Sequence, residues 1–124
     1  MDRTGMKKDG LEFFDNGERI VFNYYSFCEV LKGCLCEYCG LSNEEAHKIV
    51  ENGKLFQLPI SHVNDVYFFS HEHPFHWSMV CFYGDQYWEK YPDLVNIPES
   101  YDEWEARFIA DNDLEAEFFV FTDS

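Results

Sequence analysis

This sequence has few basic residues and no long hydrophobic run. No apolar stretch approaches the roughly 20 residues that a transmembrane helix requires, so we expect no membrane span. The opening residues MDRTGMKKDG lack the apolar core of a signal peptide, and a cytoplasmic protein is therefore expected. Only nine of the 124 residues are lysine or arginine. Such a chain is poorly suited to direct binding of nucleic acid or anionic membranes, because basic side chains hold both.

Complete catalytic and redox motifs are also missing. The sequence contains no HExxH motif, no nucleophile elbow and no phosphate-binding glycine loop. Its five cysteines are odd in number, and four of them lie within residues 28–39, which is not the layout of a secreted disulfide framework. Cys36-x-x-Cys39 is half of a zinc ribbon without a second half, so buried free thiols are the simpler expectation. The sequence thus predicts a protein that is not an enzyme and needs no cofactor.

The hydrophobic content is sufficient for one folded domain. Hydrophobic residues make up 46% of the chain and aromatic residues 19%. Apolar residues at helical spacing predict helices near 26–39, 43–52, 74–90 and 99–110. Residues 18–25 predict a short strand, and residues 114–121 predict either a last helix or an edge strand. We therefore expect a mainly α, single-domain helical bundle over residues 1–124 with one or two short strands, or alternatively an α+β fold, with residues 1–10 disordered.

Capping boxes predict where the first two helices begin. Ser26 with Glu29, and Ser42 with Glu45, each fit the pattern in which two side chains pair reciprocally with backbone N–H groups. Gly40 is expected to end the first helix. The short connection between the two helices predicts a helical hairpin.

Residues 71–77, HEHPFHW, bring three histidines close together in the sequence. Neutral imidazoles bind zinc, copper or iron, so a metal-dependent enzyme using His71, His73 and His76 is one alternative function. Pro74, however, is favourable at the first position of a helix, and the aromatic residues beside it are typical of a core. We interpret the stretch as a junction that enters a helix, and we expect no stoichiometric metal there.

Negative charge is the strongest feature of the composition. The chain has 24 acidic residues and a formal net charge of -15, and residues 85–124 hold twelve of those acids with only two basic residues. Such a surface attracts cationic partners and raises their association rate. Exposed tyrosine or tryptophan among these acids would anchor a protein partner. The candidates for such anchors are Tyr83, Tyr87, Trp88, Tyr91, Tyr101 and Trp104.

Residues 98–117, PESYDEWEARFIADNDLEAE, combine acids and aromatic residues most densely. In size, charge and this stretch, the chain resembles the small acidic bacterial immunity proteins of contact-dependent growth inhibition and related polymorphic toxin systems. The resemblance implies tight binding to a basic toxin domain, often a nuclease, by blocking its substrate cleft or an adjacent surface. The alternative is a protein that mimics nucleic acid with spaced carboxylates and inhibits a DNA-binding enzyme.

We predict that this stretch contains the partner-binding residues. They are Glu99, Tyr101, Asp102, Glu103, Glu105, Asp111, Asp113 and Glu115. Tyr101 or Trp104 is the expected aromatic anchor, unless these rings belong to the core. Arg107 is expected to pair with Glu103 one helical turn away.

Overall fold

The computed structural model describes residues 8–53, 56, 60–84 and 86–123, and within them it contains five helices and a three-stranded antiparallel sheet. The helices are α1 (Tyr24–Cys39), α2 (Asn43–Asn52), α3 (Val63–Ser70), α4 (Pro74–Tyr83) and α5 (Tyr101–Asp111). The strands are β1 (Leu11–Asp15), β2 (Glu18–Phe22) and β3 (Phe119–Asp123). Two short 3-10 turns cover Tyr87–Glu89 and Pro92–Val95. The fold is therefore α+β, so the expectation of a mainly α bundle is only partly correct and its alternative fits.

All four predicted helices are present, although one is shorter than expected. The helix predicted over 74–90 ends at Tyr83, because Gly84 has φ 95° and ψ 174°, an extended conformation with positive φ that cannot continue a helix. α3 was not predicted, since its short apolar run gives no clear periodicity. Within the residues described, none of the helices has the length and apolarity needed to cross a bilayer.

The start of α1 differs from the predicted capping box. The helix begins at Tyr24, and Ser26 is buried inside its first turn. The carboxylate of Asp9 accepts the Ser26 backbone N–H at 2.8 Å and its hydroxyl at 2.7 Å. The Ser26–Glu29 capping box is therefore wrong, because a side chain 17 residues upstream supplies the cap. Asp9 and Gly10 belong to the start that was expected to be disordered, and this expectation is wrong for them because they bond to Ser26 and Asn23. Residues 1–7 lie outside the described residues.

The α1–α2 hairpin forms as predicted. Gly40 ends α1 with φ 71°, and Ser42 begins α2 through a complete capping box with Glu45. The two hydrogen bonds of this box measure 3.0 and 3.1 Å. Lys32 on α1 forms an ion pair with Glu51 on α2 at 2.8 Å, which ties the two helices together.

The sheet joins the two ends of the described chain. β2 lies between β1 and β3, and a tight turn at Asn16–Gly17 with positive φ at both residues connects β1 to β2. The strand predicted in residues 18–25 is confirmed as β2, and residues 114–121 contribute to an edge strand, β3, and not to a helix. One face of the sheet packs on the helices through Ile20 and Phe22, which are fully buried.

α1 is the central helix of the domain and packs against α2, α4 and α5. Gly33 makes the contact with α5 possible, because a Cβ atom at this position would lie 2.5 Å from the ring of Phe108. The rings of Phe22, Phe27 and Phe69 pack between α1, α3 and the sheet. This packing fixes which face of α5 is buried and which carboxylates face solvent.

Candidate protein-binding surface

α5 buries one side and exposes acids on the other. Tyr101 and Trp104 are buried, and Phe108 packs against α1. Six of the eight predicted partner-binding residues have exposed side chains. These six, which we call the α5 acidic surface, are Glu99, Asp102, Glu103, Asp111, Asp113 and Glu115. The structure thus leaves most of the predicted carboxylates accessible to a partner.

Tyr101 is a core residue, so its predicted role as a partner contact is wrong. Its side chain is 0% exposed, and its ring lies 4.8 Å from that of His73 and 5.5 Å from that of Trp104. Burial raises the pKa of its hydroxyl well above the ordinary range. Trp104 is 8% exposed, so neither residue is an accessible anchor. Helical periodicity places both rings on one stripe, and the packing against α1 and α4 turns that stripe inward.

Glu105 is half-buried and already has a partner. The Tyr101 hydroxyl donates a hydrogen bond of 2.7 Å to its carboxylate. Burial raises the pKa of Glu105, and the bond from Tyr101 opposes this change. Its carboxylate is therefore less available to a cationic partner than the α5 acidic surface.

The expected ion pair between Glu103 and Arg107 is not formed. Both side chains are exposed, and among the described residues no ion pair joins them. More generally, none of the six carboxylates of the α5 acidic surface pairs with a basic side chain in the described part of the chain. Their negative charge is not neutralised by the described basic residues.

A second exposed feature lies just before α5. The described part of the chain exposes ten large hydrophobic side chains, and six of them fall within residues 82–97. These six, which we call the 82–97 patch, are Phe82, Tyr83, Trp88, Tyr91, Val95 and Ile97. Tyr83, Trp88 and Tyr91 are also among the candidate anchors predicted from the sequence. The sequence alone does not show that these three are exposed whereas Tyr87, another candidate, is buried. Exposed apolar clusters of this kind mark interaction surfaces in soluble proteins.

The 82–97 patch lies on a backbone that is held in place. His76 on α4 contacts the Val95 carbonyl through Nε2 at 2.9 Å and the Glu72 carboxylate through Nδ1 at 2.8 Å. When both ring nitrogens carry protons, both contacts are hydrogen bonds donated by His76. The bond from His76 lowers the pKa of Glu72. These contacts fix the loop that follows α4 against the body of the protein.

The histidine stretch is the junction between α3 and α4, as predicted from Pro74. His71 caps the end of α3 and contacts the Phe68 carbonyl, whereas His73 caps the start of α4. Nδ1 of His73 accepts the Phe75 N–H at 2.9 Å. These backbone contacts, with those of His76, occupy ring nitrogens that a metal would need. Within the described residues, no three His, Cys, Asp or Glu side chains are grouped to hold a metal ion.

The cysteines are free thiols. Burial raises the pKa of Cys34 and of Cys81 to about 12 and that of Cys39 to about 11. Thiols with such values stay protonated at neutral pH and are weak nucleophiles, which does not favour a redox or catalytic role.

The pH dependence of stability is expected to report on His73. The pKa of His73 is lowered from its ordinary value near 6.5, mainly by burial and also by His76, while Asp102 and Glu72 act in the opposite direction. Because the folded-state pKa is depressed, the contribution of His73 to stability is present above about pH 6.5 and is lost as pH falls through the folded value. The pKa of Glu72 is lowered from its ordinary value of 4.5, so protonation of Glu72 affects stability only at a lower pH than protonation of His73. We expect the His73→Asn variant to lose less free energy of unfolding than the original chain between pH 7 and pH 5. The reason is that asparagine keeps a capping side chain but does not titrate.

The measurement is the free energy of denaturant unfolding from pH 8 to pH 5. His47→Asn, at an exposed histidine of α2, is the matched control. An equal loss of stability in the original chain and in the His73→Asn variant would contradict this role of His73.

No protein-family model, curated protein or solved structure matches this chain. The features of the protein that bear on its function are therefore its two exposed surfaces and their charge.

Proposed function

We propose that this protein is a cytoplasmic bacterial immunity protein that binds and neutralises a basic toxin domain with nuclease activity. The observation that supports this proposal best is the α5 acidic surface, whose six exposed carboxylates have no described cationic partner. Unneutralised acids on the surface of a protein attract a partner of opposite charge and speed its association. A nuclease is a suitable partner because its substrate cleft is basic in order to hold phosphates.

The shape of α5 supports the same proposal. Its buried residues fix the helix against α1, so its exposed carboxylates need little ordering when a partner binds. Rigid presentation lowers the entropic cost of association. The partner would meet acids over the helix and the residues on either side of it, from Glu99 to Glu115.

Reversal of four charges tests this proposal. We expect replacement of Glu99, Asp102, Asp111 and Asp113 by lysine to slow association with a basic toxin nuclease domain that the protein binds and to weaken the salt dependence of that association. The reason is that exposed carboxylates act mainly on association rate. Binding rates at several salt concentrations, and growth of cells that produce the toxin domain, are the measurements.

The control reverses an equal number of charges elsewhere. Its substitutions to lysine are at Glu12, Glu18, Glu37 and Glu44. Thermal melts establish that both variants are folded. A folded α5 variant with unchanged rate and salt dependence would remove this surface from the interface, and absence of protection by the original chain would reject the immunity function.

A further inference from the structure

We propose that the 82–97 patch is the anchor of the partner interface and that it binds arginine side chains of the partner. This inference rests on the proposed function, and it identifies contact residues outside α5. Its most exposed rings are those of Trp88 and Tyr91, which are 47% and 46% exposed.

The exposure of these rings is not a property of a loose loop. Tyr87 is 4% exposed, and Leu94 packs against the core. The Tyr91 backbone N–H donates to the Tyr87 carbonyl at 2.8 Å, and that of Leu94 donates to the Tyr91 carbonyl at 3.0 Å. The segment therefore buries Tyr87 and Leu94 and presents other rings to solvent on a fixed backbone.

The exposed rings are also close to one another. The centroids of Tyr83 and Tyr91 lie 4.6 Å apart, and those of Phe82 and Tyr83 lie 4.8 Å apart. Trp88 belongs to the same segment, and its ring packs against that of the buried Tyr87 with 5.4 Å between centroids. These aromatic side chains form a preorganised contact area of the type that carries much of the energy in protein interfaces.

Charge identifies the partner's chemistry. Glu89 and Asp93 are exposed within the segment, Glu99 follows it, and Lys90 is its one described basic residue. A second copy of this chain would bring like charges together, and nucleic acid would be repelled. Arginine satisfies both parts of the surface, because its guanidinium stacks on tryptophan and tyrosine rings while it pairs with carboxylates.

The experiment compares two synthetic peptides, ten arginines and ten lysines, by isothermal titration calorimetry with the full chain. The test variant is Trp88→Ala with Tyr91→Ala. The control variant is Phe14→Ala with Tyr25→Ala, which removes two aromatic rings that are 62% and 45% exposed elsewhere. The affinity of either peptide reports on attraction between opposite charges. Only the difference between the two affinities reports on stacking of the guanidinium on the rings.

We expect the original chain and the control to bind the arginine peptide up to about 5-fold more tightly than the lysine peptide, because lysine shares the attraction of a cation to the rings and lacks the planar stacking of the guanidinium. The test variant should bind both peptides about equally. Equal affinity of the original chain for the two peptides, or an arginine preference that survives loss of both rings, would overturn the proposal. Dimerisation or binding to phosphatidylcholine vesicles that is lost only in the test variant would also overturn it, by assigning the patch to another occupant.

This result is separable from the immunity function. If the arginine preference depends on the two rings while the chain fails to protect cells from the toxin domain, the 82–97 patch binds arginine and the proposed immunity function is wrong. If the chain protects cells equally well with and without the two rings, the function stands and the anchor fails.

Discussion

Replacement of Phe69 by alanine is expected to lower the free energy of unfolding by about 3–5 kcal/mol. Phe69 is 3% exposed, and its ring centroid lies within 6.0 Å of those of Phe22, Tyr24 and Phe27. The deletion would leave a cavity bordered by α1, α3 and the sheet. Because these side chains belong to separate elements, the cavity cannot close without shifting several of them.

The matched control is Phe68→Ala, which removes the neighbouring ring on α3. Phe68 is 47% exposed, so we expect its loss to cost about 1 kcal/mol or less. Denaturant unfolding with a common m-value is the measurement for both variants. Equal costs at the two positions would mean that the ring of Phe69 does not lie at the centre of the core.

Replacement of Asn23 by alanine is expected to cost about 2–4 kcal/mol, since two partners lose their hydrogen bonds. The Asn23 amide donates to the Glu117 carbonyl at 2.7 Å and accepts the Gly10 N–H at 2.9 Å. Asn23 is 8% exposed, so water cannot easily replace these bonds. The side chain joins the segment before β1 to the segment before β3.

Two further variants test this role of Asn23. Asn23→Asp keeps an acceptor for Gly10 but cannot donate to the Glu117 carbonyl, and the charge on the new side chain faces that carbonyl. We expect it to be destabilised as well. Asn112→Ala removes an exposed amide that donates to the Phe108 carbonyl at 2.9 Å, and its cost should stay near 0.5 kcal/mol. A cost for Asn23→Ala no larger than that of Asn112→Ala would contradict the proposed bridge.

Local interactions are what the sequence determined by itself. The Ser42–Glu45 capping box, the left-handed Gly40 and the entry of a helix at Pro74 each involve groups within a few residues of one another. Their geometry follows from backbone preferences, so sequence patterns predict them. The strong negative charge and its concentration in the C-terminal third are likewise properties of the sequence alone.

The tertiary structure decided every feature that depends on distant residues. Asp9 caps α1 from 17 residues upstream, and Asn23 bonds to a carbonyl 94 residues away. β3 is a strand because β2 offers it a partner, whereas the local sequence of residues 114–121 left a helix and an edge strand both open. No local pattern encodes such pairings, because their free energy depends on which elements meet after the chain has folded.

The candidate binding surfaces show the same division. Sequence composition identified acids and aromatic residues in the C-terminal third, and helical spacing placed Tyr101 and Trp104 on one stripe. Packing of α5 against α1 buried that stripe, while the turns after α4 left Trp88 and Tyr91 exposed. Tyrosine and tryptophan are amphipathic and are found both in cores and at surfaces, so only the position of neighbouring elements determined which rings a partner can reach.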